Sequence, residues 1–238
     1  MLKKNQTKDG FAQSIEFDTS EGAKELYVFL RAPENISLEQ SLHLIRDNYK
    51  NILQVYELQS VQPVYTRVFL SDVENQHSIV ADSDIYKKLS VGSIRLVGNE
   101  PLDSGKISIV SYHLIGSNFS VSRPECQSGD AIVVKGSSYN LSFIADLGCS
   151  CENNPKNQTD YLLEKLKTSI PDVNISKDLV RTWVSVRDID NNYMPFVESR
   201  RNYFSTWGMD SFFPASTGVE GRSADTSRLV MLDAMCVS

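Results

Sequence analysis

The pattern of apolar and polar positions predicts two runs of elements that follow the same order. Short alternating stretches indicate strands, and i, i+3, i+4 spacing indicates helices. The first run comprises strands 11–18 and 25–31, a helix opened by the capping box of Ser37 and Gln40, strand 64–70, a helix ending near Leu89, and strands 94–97 and 106–115. The predicted order is ββαβαββ.

The second run repeats this order. It comprises strands 131–134 and 141–147, a helix at 160–170, strand 179–186, a helix ending at Gly208, and strands 213–219 and 229–237. Asp188, Asp190, Asn191 and Asn192 are candidate caps for the second of these helices. Pro195 fits only in a first helical turn, so we expect that helix to begin shortly before it.

Two sequence echoes support an internal repeat. Residues 66–75 match 182–191 without a gap at an offset of 116, and 106–110 match 228–232 at an offset of 122. Chance similarity between amphipathic strands is the alternative. The repeat predicts a polar N-terminal tail over 1–10, a degenerate first copy over 11–116 and a second copy over 129–238. The turn-rich segment 117–128 is the predicted linker.

Composition and charge narrow the classes of function. The 238 residues include 24 basic and 30 acidic side chains, and the net charge of −6 disfavours a nucleic-acid partner. No apolar run approaches the roughly 20 residues of a membrane helix, and the first ten residues lack the apolar core of a signal peptide. We expect a cytoplasmic protein with no membrane partner.

The cysteines and histidines predict neither a metal site nor a cofactor. Four cysteines are too few for a disulfide scaffold, and the C-x-C pair Cys149 and Cys151 lies far from the three histidines. Reduced thiols are therefore expected. The sequence contains no dinucleotide-binding fingerprint, phosphate-binding loop or nucleophile elbow.

The second copy carries residues that resemble a known family. The strand Arg-Thr-Trp-Val-Ser-Val-Arg-Asp-Ile-Asp begins at Arg181, and the motif Pro-Ala-Ser-Thr-Gly begins at Pro214. Together they are similar to the YjgF/Rid superfamily, also labelled endoribonuclease L-PSP-like, and to its tandem branch that includes the chorismatases. The resemblance implies tandem chorismate-mutase-like α+β domains, each with a mixed sheet and two helices on one face. It also implies a trimer or pseudo-trimer that binds small carboxylates in interdomain clefts.

The family chemistry is the hydrolysis of enamines and imines, for which an arginine holds the carboxylate of the substrate. This sequence has Ser216 at the position of that arginine and Gly218 at that of a nearby cysteine. Asp233 stands where the family has a glutamate, and Arg95 of the first copy lies within one or two residues of the arginine position. The resemblance therefore assigns Asp233 the role of positioning water, and leaves the arginine of the second copy missing.

The candidate substrate-binding residues cluster near the Pro-Ala-Ser-Thr-Gly motif. They are Ser216, Thr217, Gly218, Glu220, Arg222, Tyr193 and, from the first copy, Arg95. A turn that uses glycine for backbone freedom is the alternative for 216–218. On its strand, Asp233 faces either solvent or a cleft. Arg200 and Arg201 are interpreted as a solvated helix edge, and Tyr193 fits a cleft or a core equally well.

Three functions follow from these residues. The first is a YjgF/Rid-superfamily protein that binds, and in its catalytic form hydrolyses, a small carboxylate metabolite in an interdomain cleft. The second is chorismatase-like hydrolysis of chorismate. The third, favoured by the missing arginine, is a non-catalytic binding or assembly module. If the assembly unit has three copies, we expect a third repeat beyond Ser238.

Overall fold

The computed structural model describes residues 2–7, 10–19, 22–56, 59–126, 129–150, 153–170, 172–209 and 211–238. The chain divides into two compact units, Met1–Ser120 and Val121–Ser238. Each unit holds a six-stranded sheet and helices. The predicted α+β class with two copies of one architecture is therefore confirmed.

The first unit builds a mixed sheet with the strand order β1-β2-β3-β6-β4-β5. Its elements are β1 (Leu2–Thr7), β2 (Gly10–Asp18), β3 (Lys24–Arg31), α1 (Leu38–Leu53), β4 (Val61–Leu70), α2 (Val73–Ala81), α3 (Asp84–Leu89), β5 (Ser93–Gly98) and β6 (Ile107–Ile115). β4 and β5 are parallel. Parallel neighbours need a crossover, which α2 and α3 supply.

The second unit has the matching strand order β11-β10-β12-β9-β8-β7. Its elements are β7 (Ser120–Ser122), β8 (Asp130–Lys135), β9 (Asn140–Gly148), α4 (Pro155–Thr168), α5 (Ile175–Asp178), β10 (Leu179–Val186), α6 (Ile189–Thr206), β11 (Ala215–Glu220) and β12 (Val230–Val237). β10 and β11 are parallel and are joined through α6. From β8 onward the second unit follows the predicted ββαβαββ order with the one-turn helix α5 added before β10. From β2 onward the first unit follows it with the pair α2 and α3 in place of the second helix.

Each unit carries an additional edge strand that the sequence pattern does not predict. β1 lies in the segment predicted as a polar tail and pairs antiparallel with β2. β7 lies in the predicted linker, and its three residues are exposed at the edge next to β8. Both segments are mostly polar in sequence, and backbone hydrogen bonds to a neighbouring strand are enough to form an edge strand. Periodicity therefore gives no signal for either.

The strand registers define which residues of the two units are equivalent. Arg67 of β4 faces Val110, and Trp183 of β10 faces Asp233. The predicted offset of 116 holds between β4 and β10, but Val110 and Asp233 are 123 positions apart. The predicted offset of 122 is thus wrong by one residue. A slip of one residue would turn every side chain of the strand to the other face.

The helices of the second unit cover one face of its sheet. Buried apolar residues of α4 and α6, such as Leu162, Leu166 and Phe204, pack in one cluster with Val184 and Leu232 of the sheet. The first unit follows the same plan, with the buried face of α1 next to the sheet. The expected capping box is present, since Ser37 Oγ accepts from the Gln40 amide and Gln40 Oε1 accepts from the Ser37 amide.

Helix α6 begins further upstream than its proline suggests. The helix starts at Ile189, which leaves Pro195 inside it rather than in its first turn. The expectation is wrong because a residue outside the helix caps its N-terminus. Asp188 takes the left-handed backbone conformation (φ 50°) and its side chain makes no capping hydrogen bond. Glu220 of β11 supplies the missing acceptor.

A chain of buried polar side chains runs beneath α1. Thr66 Oγ1 and Ser111 Oγ are 2.7 Å apart, and Tyr49 Oη lies 2.9 Å from His113 Nε2. All four side chains are buried. Because burial disfavours the imidazolium, the pKa of His113 falls from 6.5 to about 4. His113 is therefore neutral in the folded protein near neutral pH.

The depressed pKa predicts that acid weakens the fold. Between pH 6.5 and about 4 the unfolded chain binds a proton that folded His113 does not, so the free energy of unfolding falls as the pH falls. The loss reaches about 3 kcal/mol at the lower end. Urea unfolding at several pH values in this range gives the free energy of unfolding as a function of pH, which should depend less steeply on pH in His113→Phe than in the wild type. Tyr49→Phe keeps the imidazole and should show the same pH dependence as the wild type. The same pH dependence in the wild type and in His113→Phe would contradict the assignment.

Candidate functional site

The Pro-Ala-Ser-Thr-Gly motif lies mainly on a strand, not in a loop. β11 pairs through Ser216 with Thr182 and through Thr217 with Trp183. Alternate side chains of a strand point to opposite faces. Ser216 and Gly218 therefore lie on the side of α6, whereas Thr217 lies on the other face of the sheet.

Arg200 reaches β11 from the middle of α6. Its Nη1 donates to Ser216 Oγ at 3.0 Å, and its guanidinium carbon lies 5.0 Å from the ring centre of Phe196 and 6.0 Å from that of Phe204. Within the described part of the chain, no carboxylate lies within 4.0 Å of it. Burial lowers the pKa of Arg200, the nearby Arg201 adding to the effect and Tyr193 opposing it. The half-buried cation is thus held by a neutral hydroxyl and two aromatic rings.

Ser216 and Gly218 complete this arrangement, which we call the α6–β11 site (Tyr193, Arg200, Ser216 and Gly218). Ser216 Oγ also accepts from Thr182 Oγ1 at 3.0 Å, so its own hydrogen is available to a further acceptor. A Cβ at Gly218 would lie 3.1 Å from Cε2 of Tyr193, so the glycine lets the ring approach the strand closely. The site is open to solvent at Ser216 and Gly218, which are both exposed.

Glu220 is the last residue of β11 and caps the N-terminus of α6. Its Oε1 accepts from the Asp188 amide at 3.1 Å and its Oε2 accepts from the Ile189 amide at 2.7 Å. A carboxylate at this end satisfies free amides and interacts favourably with the helix dipole. Glu220 therefore acts as the cap that the sequence assigns to Asp188 and Asp190, and it is not available as a ligand group.

We predict that Glu220→Ala lowers the free energy of unfolding by about 1 kcal/mol, because two amides of α6 lose their acceptor. Arg222→Ala is the matched control. Its Nε is 4.0 Å from Glu220 Oε1 and both side chains are exposed, so the change should be under about 0.5 kcal/mol. Urea unfolding of both variants measures the difference. Equal effects would show that the ion pair, rather than the cap, stabilises this end of α6.

Asp233 is buried within the sheet. Its Oδ1 accepts from the backbone amide of Asp146 at 2.9 Å, and Asp146 has a φ of 56°. The pairing of β12 with β9 shifts between Leu232 and Ala234, so two residues of β9 face one of β12, which defines a bulge. The carboxylate therefore holds the bulge of β9 and has no exposed surface.

The structure brings together only some of the predicted site residues. Tyr193, Ser216 and Gly218 share the α6–β11 site, and Glu220 lies at the start of the same helix. Thr217 and Asp233 lie on the other face, one on each side of Trp183. Arg222 is exposed beyond the end of β11.

The remaining predicted residue, Arg95, is buried on β5 of the first unit and faces Arg67 of β4. By register it is equivalent to Thr217, one position beyond Ser216. It therefore belongs to the face of the sheet opposite the helices.

Two arginines were not among the predicted residues. Arg200 is interpreted from sequence as part of a solvated edge, although its spacing from Phe196 and Phe204 places it on their apolar face, which is the available signal. Arg181 lies on the other face of the sheet, where its guanidinium carbon is 5.0 Å from the ring centre of Trp183 and its Nη2 donates to Thr217 Oγ1 at 3.4 Å. Only the parallel register of β10 and β11 reveals this second contact.

The cysteines differ in part from the expectation of reduced thiols. Cys126 and Cys236 form no disulfide, but Cys149 is disulfide-bonded. Among the described residues, no three acidic, histidine or cysteine side chains are grouped so as to hold a metal ion. The helices of the described segments are too short or too polar to cross a membrane.

Comparison with known proteins gives similarity in structure but not in sequence. No protein-family model matches the chain, and no curated protein matches it. A chorismatase crystal structure superposes with a TM-score of 0.65 at 13% identity, covering 98% of this chain and 78% of the chorismatase.

YjgF-family structures cover about half of the chain. A member from Neisseria meningitidis covers 51% of this chain and 98% of its own, with 15% identity and a TM-score of 0.40. One from Mycobacterium tuberculosis covers 50% and 100%, with 18% identity and a TM-score of 0.40. In agreement with the predicted tandem α+β domains, the chain shares its fold with the chorismatase structure over nearly its whole length.

Proposed function

We propose that the second unit binds a small carboxylate metabolite at the α6–β11 site. The observation that carries this proposal is Arg200, a half-buried guanidinium whose hydrogen-bond partner is the neutral Ser216 hydroxyl. A partly desolvated cation gains more from an anion than an exposed one does. Arginine also presents its donors in a planar fork that matches a carboxylate.

The neighbours of Arg200 fit such a ligand. Ser216 has a hydrogen left to donate, and Gly218 leaves the backbone of the edge strand accessible. Tyr193 offers a half-buried ring beside the glycine, against which an apolar or aromatic body can pack. The resemblance places an arginine on the strand, where this sequence has Ser216. In this proposal Arg200 of α6 supplies the cation instead, next to Ser216.

The geometry favours binding over hydrolysis by Asp233. The mechanism expected from the resemblance needs Asp233 to position water beside a substrate held by Ser216, Thr217 and Arg222. Asp233 is buried, bonded to the Asp146 amide, and on the other face of the sheet from Ser216. We therefore propose the α6–β11 site as a binding site and assign no catalytic step to Asp233.

A titration of Tm tests the proposal. Benzoate and pyruvate carry a carboxylate on an aromatic and an aliphatic body, and benzamide lacks the charge. The carboxylates should raise Tm, with about 2.7 kcal/mol of stabilisation when the ligand is at 100 times its Kd, whereas benzamide should not. Stabilisation by benzamide equal to that by benzoate, or no stabilisation by any carboxylate, would contradict the proposal.

Chorismatase-like activity is a second candidate, supported by the superposition over 98% of the chain. Chorismate carries carboxylates, the group that the α6–β11 site is proposed to bind. Incubation with chorismate and measurement of pyruvate separates the candidates. Pyruvate release that exceeds the protein-free rate supports the enzyme, while stabilisation without release supports a binding module.

A further inference from the structure

The first unit contains a cavity of about 800 Å³, and none of its lining residues belongs to the α6–β11 site. It is bounded by the end of α1, by α3 and by the start of β4. Its lining includes Lys50, Lys87 and Lys88 together with the apolar Leu53, Val61 and Val91. No acidic side chain from the described residues lines it. This is unusual for a chain whose net charge is −6.

Two acidic side chains near these lysines in sequence are already paired. Arg46 Nε lies 3.0 Å from Asp47 Oδ1, and Arg46 Nη1 lies 3.6 Å from Asp84 Oδ2. One arginine therefore binds an acid of α1 and an acid of α3. Within the described segments, none of the three cavity lysines has a carboxylate within 4.0 Å. Their charges accumulate around one opening.

The C-termini of the two helices offset only part of the positive charge of the lysines. Lys50 lies in the last turn of α1, and Lys87 and Lys88 lie in the last turn of α3. A helix C-terminus carries about half a negative charge, so two of them offset about one of the three lysine charges. The remaining positive potential is available to an anion that enters the cavity.

The apolar wall restricts the kind of anion. Val91 is 53% exposed, which is high for valine, and it lies beside Leu53 and Val61 on the cavity surface. An inorganic ion would use the lysines but leave this wall in contact with water. We propose that the cavity is a second ligand site, for an organic polyanion with a compact apolar body and two or more carboxylate or phosphate groups.

Calorimetric titration with benzene-1,3,5-tricarboxylate tests this inference. The probe joins an aromatic ring to three carboxylates, whereas pyrophosphate has charge without the ring and benzamide the ring without charge. Arg200→Met is used as the background protein, so that binding at the α6–β11 site is weakened. We expect the tricarboxylate to bind, pyrophosphate to bind more weakly and benzamide not to bind. If pyrophosphate binds as tightly as the tricarboxylate, the apolar part of the proposal is wrong.

Substitution of the lysines by glutamine locates the site. Lys50→Gln, Lys87→Gln and Lys88→Gln together should weaken tricarboxylate binding about ten-fold or more and flatten its salt dependence. The control combines Lys135→Gln, Lys167→Gln and Lys177→Gln in the second unit, which alters the net charge equally. Circular dichroism verifies the folding of both triple variants. Equal weakening by the control, or no binding to the background protein, would overturn the inference.

Discussion

Arg200→Met is expected to weaken carboxylate binding at the α6–β11 site by about 10- to 100-fold. A hydrogen bond to a charged group contributes about 1.5–3 kcal/mol, and 1.4 kcal/mol corresponds to a factor of ten in Kd. The methionine side chain can still pack between the rings of Phe196 and Phe204, so the fold should be retained. Calorimetric titration with benzoate gives the change in Kd directly.

Two further variants make this result specific. Arg201→Met removes the same charge from an exposed neighbour and should leave Kd within about two-fold, since exposed charges are screened. Arg200→Lys keeps the charge but not the planar fork, and should give an intermediate loss. If Arg201→Met weakens binding as much as Arg200→Met, the ligand responds to overall charge and not to the α6–β11 site.

Asp233→Leu is expected to lower the free energy of unfolding by about 1–3 kcal/mol. Leucine has the same branched skeleton as aspartate, although it is larger, and it cannot accept the hydrogen bond from the Asp146 amide at the bulge. Asp233→Asn retains an oxygen acceptor and should cost less. Urea unfolding measures both, and the midpoint should move without a change in slope.

Asp146→Asn provides the matched control for Asp233. It keeps the backbone amide at the bulge and tolerates the left-handed conformation, but it removes the ion pair with Arg228 Nη1 at 3.1 Å. We expect a loss below about 1 kcal/mol. Benzoate affinity should be unchanged in Asp233→Asn. A large loss of affinity in that variant, with normal stability, would instead indicate that Asp233 contributes to the site.

The sequence predicts the order of elements well where a strand or helix has an apolar face. Both ββαβαββ runs and the capping box at Ser37 follow from such patterns. β1 and β7 are missed because they form at sheet edges with polar residues. The offset of 122 is one residue short because the loop before β12 contains an additional residue, and similarity between short apolar strands does not fix register.

The candidate site is only partly predictable for a related reason. The motif identifies Ser216 and Gly218, but whether neighbours on β11 converge depends on the face to which each one points. Glu220 binds amides of a helix that precedes it in the chain, and Arg200 meets Ser216 across the gap between helix and strand. Contacts of this kind depend on tertiary packing, which one sequence does not specify.

The matched topology of the two units makes the sheet independent of the crossover between its parallel strands. Between the third and fourth strands of the shared ββαβαββ order, one unit has the short helices α2 and α3, and the other has the single long helix α6. The lysines of α3 and the arginine of α6 both come from this crossover. The two units therefore keep one strand order while the crossover between their parallel strands differs in length and in the charged side chains that it presents.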